Sequence, residues 1–232
     1  MRAARAICNI DKVFLVQPMV EGHDYRVVVL DGEVLSAYER LPLTVTGDGT
    51  LTIDQLLSAK QDGFKSGGRD TKIQTNDFRI DNRLRRFRMT RATILPAGSS
   101  FALLDNRNLS SGGDAIDVTE AIHPTFRTLA SDIVKTMGLR YCGLDLMVKK
   151  DIREPLDPQN NSYQVIEINA APGVDHYAQS GDQQKRIVTE MYRKILLALS
   201  KGGDTVVQSG VRCTSHLTAQ EMQRQLYGIE DF

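Results

Sequence analysis

The chain has 232 residues, of which 41% are hydrophobic and 25% charged, and this is the composition of a globular protein with a full hydrophobic core. Basic and acidic residues number 29 each, so the net charge gives no reason to expect nucleic acid or a membrane as a partner. No apolar run approaches the roughly 18 residues of a membrane span, and we expect a cytoplasmic protein. Cys8, Cys142 and Cys213 lack metal-ligand spacing and are expected to be reduced.

The N-terminal part of the chain has the pattern of a helix end followed by a strand. Residues 3–10 resemble the end of a helix, and the apolar run 13–16 predicts a buried strand. Pro18 and Gly22 interrupt that strand, because proline lacks a ladder donor and glycine favours a turn. Two strands, 24–30 and 33–40, should then pair as a hairpin across an Asp-Gly turn.

The middle of the chain begins with a helix at 53–60, which starts with a capping box. The segment 61–75 is glycine-rich and charged, and we expect a mobile loop. Six arginines follow in 77–91, which is typical either of a phosphate or nucleic-acid patch or of a short amphipathic helix with a wet arginine face. The apolar residues Ile80 and Leu84, with Phe87, and the balanced net charge favour the helix.

A second glycine-rich loop occupies residues 106–114. Its free backbone N–H groups and small hydroxyls suit a flap that faces an anion. Helices are predicted at 124–137 and 181–200, the first with proline at its start and glycine at its end. In the tail after Lys201 a second capping box precedes a short helix.

Two alternating segments, 141–148 and 163–169, predict strands that return antiparallel through a polar loop. This pairing could bring Asp145, Glu167 and Asn169 together, and two carboxylates with an amide oxygen suit Mg²⁺. The alternative is that these are ordinary polar residues on the solvent face of a hairpin.

Strict alternation along the second strand predicts which side chains share a face. Val165, Glu167 and Asn169 should lie on one face, and Ile166 and Ile168 on the other.

Six motifs occur in the order found in ATP-grasp ligases: DYRVVVLDGEV, GDGTLTIDQL, ILPAG, NLSSGGDAIDVTE, GLDLM and EINAAPG. The chain resembles that superfamily from about residue 3 to residue 199, and in particular the ligase modules of cyanophycin synthetases and bifunctional glutathione synthetases. The resemblance implies an α+β fold, the ATP-grasp C-terminal lobe, in which helices pack on one side of an antiparallel sheet.

The resemblance also implies a division of the chain into three parts. Residues 1–20 would be a remnant of the small lobe and the hinge, 21–200 the C-terminal lobe, and 201–232 a tail. The N-terminal lobe would be largely missing, and with it two phosphate-binding lysines. We therefore expect either a partner chain that supplies this lobe or a non-catalytic fragment that binds ATP and metal.

The implied activity is ATP-dependent carboxylate–amine ligation through an acyl phosphate, with an amino acid or peptide as the carboxylate substrate. Mg²⁺, or alternatively Mn²⁺, would accompany ATP, and the resemblance makes Asp145, Glu167 and Asn169 the metal ligands. It gives catalytic roles on phosphate or substrate carboxylate to Arg26, Arg40 and Asn108. The alternative for the two arginines is exposure on a strand, paired with Glu39 or Glu33.

Adenine would meet the hinge, ribose the acidic residue after it, and the reacting phosphate the glycine-rich flap. His23 and His176 lie beside these motifs, and without a visible base partner we expect them to be bystanders. The resemblance implies cofactor-binding roles for Gln17, Met19, Val20, Asp24, Ile166, Gly112 and Gly113.

Overall fold

The computed structural model describes residues 7–9, 11–157 and 162–201, the last of these without its side chain. The chain divides into two compact units, Met1–Ile195 and Leu196–Phe232. The predicted capping box and helix of the tail lie outside the described residues. Within the described ranges, no helix is both long and apolar enough to cross a membrane.

The first unit contains an antiparallel sheet of five strands, in the order β5-β2-β1-β6-β7. Its strands are β1 (His23–Leu30), β2 (Glu33–Leu41), β5 (Asp114–Asp117), β6 (Tyr141–Val148) and β7 (Tyr163–Asn169). A separate two-stranded sheet pairs β3 (Thr44–Thr46) with β4 (Ser100–Ala102). The helices are α1 (Ile53–Ser66), α2 (Phe78–Arg86), α3 (Pro124–Thr136), α4 (Asp175–Ala178) and α5 (Asp182–Lys201).

The predicted hairpin of β1 and β2 is confirmed. Asp31 and Gly32 form its turn with φ values of 49° and 85°. Positive φ at both central residues is the turn whose twist matches that of paired strands.

The main core lies between α3 and one face of the sheet. Residues 25, 27 and 29 of β1 and 142, 144, 146 and 148 of β6 point to this face, as period-2 alternation requires. From α3, Phe126, Ala130 and Val134 pack against them. Proline at the first helical position and Gly138 in the left-handed conformation bound this helix as predicted. The α+β architecture expected from the sequence is confirmed.

A second core holds together what we call the helical region, residues 43–104. Apolar side chains of α1, α2, β3 and the following loops meet there, among them Val45, Leu57 and Leu84. The capping box of Thr52 and Gln55 is formed as predicted, but α1 continues to Ser66.

The prediction of a mobile loop at 61–75 is wrong. Its first residues are helical, and Arg69, Thr71 and Ile73 are buried. Glycines and charged residues are typical of exposed loops, which is why the sequence suggested mobility. The residues are buried because they make hydrogen bonds with distant segments, which the local sequence does not reveal.

The arginines around α2 lie on the polar, solvent-facing side of an amphipathic helix. Ile80 and Leu84 are buried, and Phe87, which follows the helix, is 53% exposed. Asp105 accepts hydrogen bonds from Arg83 and Arg86. Asp77 likewise pairs with Arg79, and Arg91 with Asp54 and Asp81.

The predicted buried strand at 13–16 is wrong. Val13 and Val16 are 83% and 79% exposed, and the segment has no regular structure. A strand requires a neighbour for its backbone hydrogen bonds, and no described strand pairs with this segment.

Candidate functional site

The face of the sheet opposite α3 carries charged residues from three adjacent strands. Arg26 of β1 lies opposite Tyr38 of β2 on one side and Asp145 of β6 on the other, and Asp24 lies opposite Arg40. Side chains directly opposite each other in a sheet point to the same face. The register therefore gathers two arginines and two aspartates, and we call this the site face.

These four side chains form one ion-pair network. Arg26 donates to both oxygens of Asp145, through Nε to Oδ1 and through Nη2 to Oδ2 at 3.0 Å. Arg40 Nη2 lies 2.6 Å from Asp24 Oδ1 and 3.0 Å from Asp145 Oδ2. The four side chains are only 5–15% exposed. Burial strengthens such hydrogen-bonded pairs and also makes each unpaired charge costly.

The alternative of exposed strand arginines paired with local glutamates is therefore wrong. Glu39 instead contacts His23, Nδ1 to Oε1 at 2.7 Å, and Glu33 contacts Lys194 at 2.8 Å.

Asp24, the expected ribose ligand, lies beside Arg40. Burial raises the pKa of Asp24 above its ordinary value, and the attraction of Arg40 offsets only part of that rise. Its contact with ribose stays a prediction, since in this arrangement Arg40 occupies one carboxylate oxygen.

The pairing of β6 with β7 brings the three expected metal ligands to one end of the sheet. Asp145 lies opposite Glu167, and Gly143 lies opposite Asn169. Asp145 is buried and Glu167 is exposed. The sequence-predicted hairpin is thus confirmed, with its acidic pair in register.

A β-bulge interrupts this ladder and corrects the predicted alternation. Because Leu146 pairs with Val165 while Asp145 pairs with Glu167, Ile166 is an extra residue on β7. Val165 and Ile168 both pack against the main core, whereas Ile166 is 52% exposed. The prediction that Val165 shares a face with Glu167, and Ile166 one with Ile168, is therefore wrong.

The donor set fits a hard divalent cation in kind. Two carboxylates and an amide oxygen on neighbouring strands are the ligands that Mg²⁺ prefers. Gly143 adds no side chain opposite Asn169. Since both oxygens of Asp145 face arginines, a cation would share or replace these contacts. Among the described residues no group of three or more His, Cys, Asp or Glu forms a metal cluster; the third expected donor here is an amide.

Beside the network lies a pocket of 170 Å³. All three residues expected to be catalytic, Arg26, Arg40 and Asn108, line it, although they come from β1, β2 and a loop far along the chain. The complete lining is Arg26, Tyr38, Arg40, Asn108, Leu109, Ser110, Gly173, His176 and Tyr177.

Residues 108–113, here called the pocket loop, form one wall through a single 3₁₀ turn. Gly112 has φ of 91°, in the left-handed region. A Cβ atom on Gly113 would lie 2.4 Å from Leu41 O and 2.9 Å from Asn108 O. Both glycines are thus required by backbone geometry, and their expected contact with phosphate stays a prediction.

Two aromatic rings form another wall, which the sequence did not indicate. Tyr38 and Tyr177 stack with centroids 4.0 Å apart, and Tyr177 Oη donates to Asp117 Oδ1 at 2.8 Å. Burial raises the pKa of Tyr177, so the hydroxyl stays protonated. The only sequence signal was the position of Tyr177 shortly after the EINAAPG motif.

His176 also lines the pocket, and its expected role as a bystander stays a prediction. Its Nδ1 lies 3.1 Å from Thr71 Oγ1 and 3.9 Å from Asp70 Oδ1. Both partners are more than a hundred residues earlier in the chain, which explains why the sequence suggested none.

The expected adenine contacts lie elsewhere. Val20 borders a cavity of 460 Å³ together with Met147, Lys149 and Tyr163. Gln17 and Met19 are exposed, Met19 by 85%, in a segment without regular structure. Their contact with adenine stays a prediction.

No protein-family model matches the chain, but individual proteins do. Over 166 residues it is 35% identical to the glutathione biosynthesis bifunctional protein GshAB of Mannheimia succiniciproducens, covering 70% of this chain and 22% of that protein. Over 163 residues it is 39% identical to the cyanophycin synthetase of Synechocystis sp., covering 68% and 18%. A crystal structure of a bifunctional glutathione synthetase from Pasteurella multocida matches with a TM-score of 0.59 and 29% identity, covering 76% of this chain and 24% of that one.

The fold, the motifs and these relatives together identify the class: the chain belongs to the ATP-grasp superfamily. It corresponds to a segment shared by bifunctional glutathione synthetases and cyanophycin synthetases. The chain spans about a fifth of the length of the curated relatives it matches.

Proposed function

We propose that the chain is a carboxylate–amine ligase module that uses ATP and Mg²⁺, with Mn²⁺ as an alternative. The observation that carries this proposal is the convergence of Arg26, Arg40 and Asn108 on one pocket, next to Asp145. The β1–β2 hairpin and a loop far along the chain both contribute to it, and a solvated strand face would not require such convergence.

In this proposal the substrate carboxylate oxygen attacks the γ-phosphorus of ATP, and ADP leaves. The amine nitrogen then attacks the acyl carbon, and phosphate leaves. The guanidinium groups of Arg26 and Arg40 would bind the anionic oxygens, and the Asn108 amide would orient them. Preorganised donors in a partly buried site are the main source of stabilisation in such transfers.

Asp145, Glu167 and Asn169 would hold the metal. Bound there, it would neutralise phosphate charge during the transfer. Gln17, Met19, Val20, Asp24, Ile166, Gly112 and Gly113 are the proposed nucleotide contacts. The exposure of Ile166 through the bulge supports its place in this set, since a residue on the core face could not contact a base.

ADP release is the test of ligase function. The chain, alone and together with a lysine-bearing ATP-grasp small lobe, is incubated with Mg²⁺, ATP and a pool of amino acids and short peptides. We expect carboxylate-dependent ADP formation, reduced about 100-fold or more in Arg40→Gln. The matched control, Arg86→Gln, removes an exposed arginine of α2 and should leave the rate unchanged. No ADP release in the presence of the small lobe would refute the proposal.

A second candidate is a module that binds ATP and metal without catalysis, alone or with a partner chain. The observation that favours it is the pairing of both arginines with Asp24 and Asp145, which reduces the positive charge that they offer to a transferred phosphate. Ligand-dependent thermal shifts distinguish the candidates: this one predicts a shift with Mg²⁺–ATP and no ADP under any condition. The absence of a shift with either Mg²⁺–ATP or Mg²⁺ alone would exclude it.

A further inference from the structure

Arg69 is a buried cation outside the ion-pair network of the site face. Its side chain is 5% exposed, and its guanidinium lies 4.0 Å from the centre of the Phe64 ring. Burying a charge is costly unless hydrogen bonds satisfy it. The partners that do so here are the pocket loop, Asp114 directly after it, and Thr71.

The hydrogen bonds of Arg69 hold both ends of the 3₁₀ turn in the pocket loop. Nη2 donates to Leu109 O at 2.9 Å and to Gly113 O at 2.6 Å. Nη1 reaches Asp114 Oδ1 at 3.4 Å. One planar guanidinium thus fixes the distance between two backbone carbonyls of the loop that carries Asn108, a task for which its rigid fork of donors is suited.

Thr71 continues this connection to His176, a second part of the pocket lining. Its Oγ1 accepts from Arg69 Nε at 3.2 Å and lies 3.1 Å from His176 Nδ1. Gln61 of α1 anchors the segment, because its amide binds Thr71 O at 3.2 Å and Ile73 N at 2.6 Å. Thr71 is 2% exposed, so these bonds are shielded from water.

We propose that Arg69 and Thr71 are positioning residues that fix two walls of the anion pocket, the pocket loop and His176. Neither residue lines the pocket, so they act through the groups that do. The inference rests on the proposed function in one respect, namely that the pocket receives an anionic group. An arginine that merely stabilises the fold would affect global stability without a specific effect on the loop.

The test uses the full chain and inorganic phosphate as the probe. Arg69→Gln, Arg69→Lys and Thr71→Val are compared with the control Arg91→Lys. Arg91 connects α1 to α2 through Asp54 and Asp81, away from the pocket loop. Three quantities are measured: hydrogen exchange at the amides of 111–113, phosphate affinity by calorimetry, and stability to urea. These amides donate within the pocket loop, so they report its closure.

We expect exchange at 111–113 to rise and phosphate affinity to fall, each about tenfold, in Arg69→Gln, because affinity scales with the population of the competent loop. Arg69→Lys and Thr71→Val should show smaller changes in the same direction, and Arg91→Lys none. A folded Arg69→Gln variant with unchanged exchange and affinity would overturn the proposal.

If Arg69→Gln does not fold, Arg69→Lys and Thr71→Val decide the question, and wild-type exchange in both would overturn the proposal. Exchange requires no ligand. A wild-type chain that binds no phosphate would therefore refute the proposed anion pocket, while exchange at the loop amides would still decide whether Arg69 and Thr71 position the loop.

Discussion

The site face and the arginines of α2 both contain an aspartate that contacts two arginines, but the two groups differ in burial. On the site face Asp145 receives two arginines and is 5% exposed. Directly after the helical region, Asp105 also contacts two arginines, both from α2, and is 64% exposed. Water and salt screen the second group, whereas burial makes the first group dependent on its partners. The difference teaches that convergence and burial, rather than the number of arginines, mark a candidate anion site.

The largest difference in stability should appear when the aspartate that contacts two arginines is removed from each group in turn. Asp145→Ala leaves Arg26 and Arg40 buried without their common acceptor, and we expect a loss of about 3–5 kcal/mol in the free energy of unfolding. Asp105→Ala should cost less than about 1 kcal/mol, since its pairs are exposed. Urea denaturation of both variants measures this, and equal losses would contradict the comparison.

Glycine substitutions give the next largest contrast. Gly113→Ala forces a Cβ atom against Leu41 O and Asn108 O, and we expect a cost of about 1–3 kcal/mol together with weaker phosphate binding. Gly63→Ala, in α1 with nothing within 4 Å, should instead stabilise by about 0.5–1 kcal/mol. Thermal unfolding and calorimetry test both, and a neutral Gly113→Ala would show that the pocket loop adapts.

Acid titration should separate the regions by sign. Burial raises the pKa of Asp24. The contribution of Asp24 to the free energy of unfolding is therefore present below pH 3.8, the ordinary pKa, and is lost as the pH rises. Hydrogen bonds from Arg91 lower the pKa of Asp81. The contribution of Asp81 to the free energy of unfolding is therefore present above pH 3.8 and is lost as the pH falls. Relative to wild type, Asp24→Asn should gain stability with rising pH and Asp81→Asn should lose it. Slopes of the same sign, measured by urea denaturation between pH 3 and 6, would disprove this.

The smallest effect concerns RNA. Because Arg79, Arg83 and Arg86 of α2 are paired with carboxylates, we expect flat filter-binding curves with RNA at low salt, for wild type and for Arg86→Gln alike. Salt-sensitive binding that Arg86→Gln weakens would restore the nucleic-acid interpretation of residues 77–91.

Local features of the fold were predictable from the sequence. The Asp-Gly turn, the capping box and the alternation of β6 depend on neighbouring residues, and all three are confirmed. The pairing of Asp145 with Glu167 followed from two adjacent strands and a loop. The metal and nucleotide roles, and the division of the chain at residues 20 and 200, stay predictions.

Features that depend on distant partners were not predictable. Arg69 appeared mobile because its acceptors at Leu109 and Gly113 lie some forty residues away. The bulge at Ile166 breaks the alternation that the prediction assumed. The apolar segment 13–16 satisfied the pattern of a strand without having a described neighbour to pair with.

The bulge has a further consequence for solubility. Within the described residues β7 is an outer strand with a neighbour on one side only, so its free backbone groups could template the addition of a strand from another molecule. An extra residue at Ile166 breaks the regular spacing of those groups, and the adjacent Glu167 adds a charge. The irregularity therefore also protects this edge of the sheet against edge-to-edge aggregation.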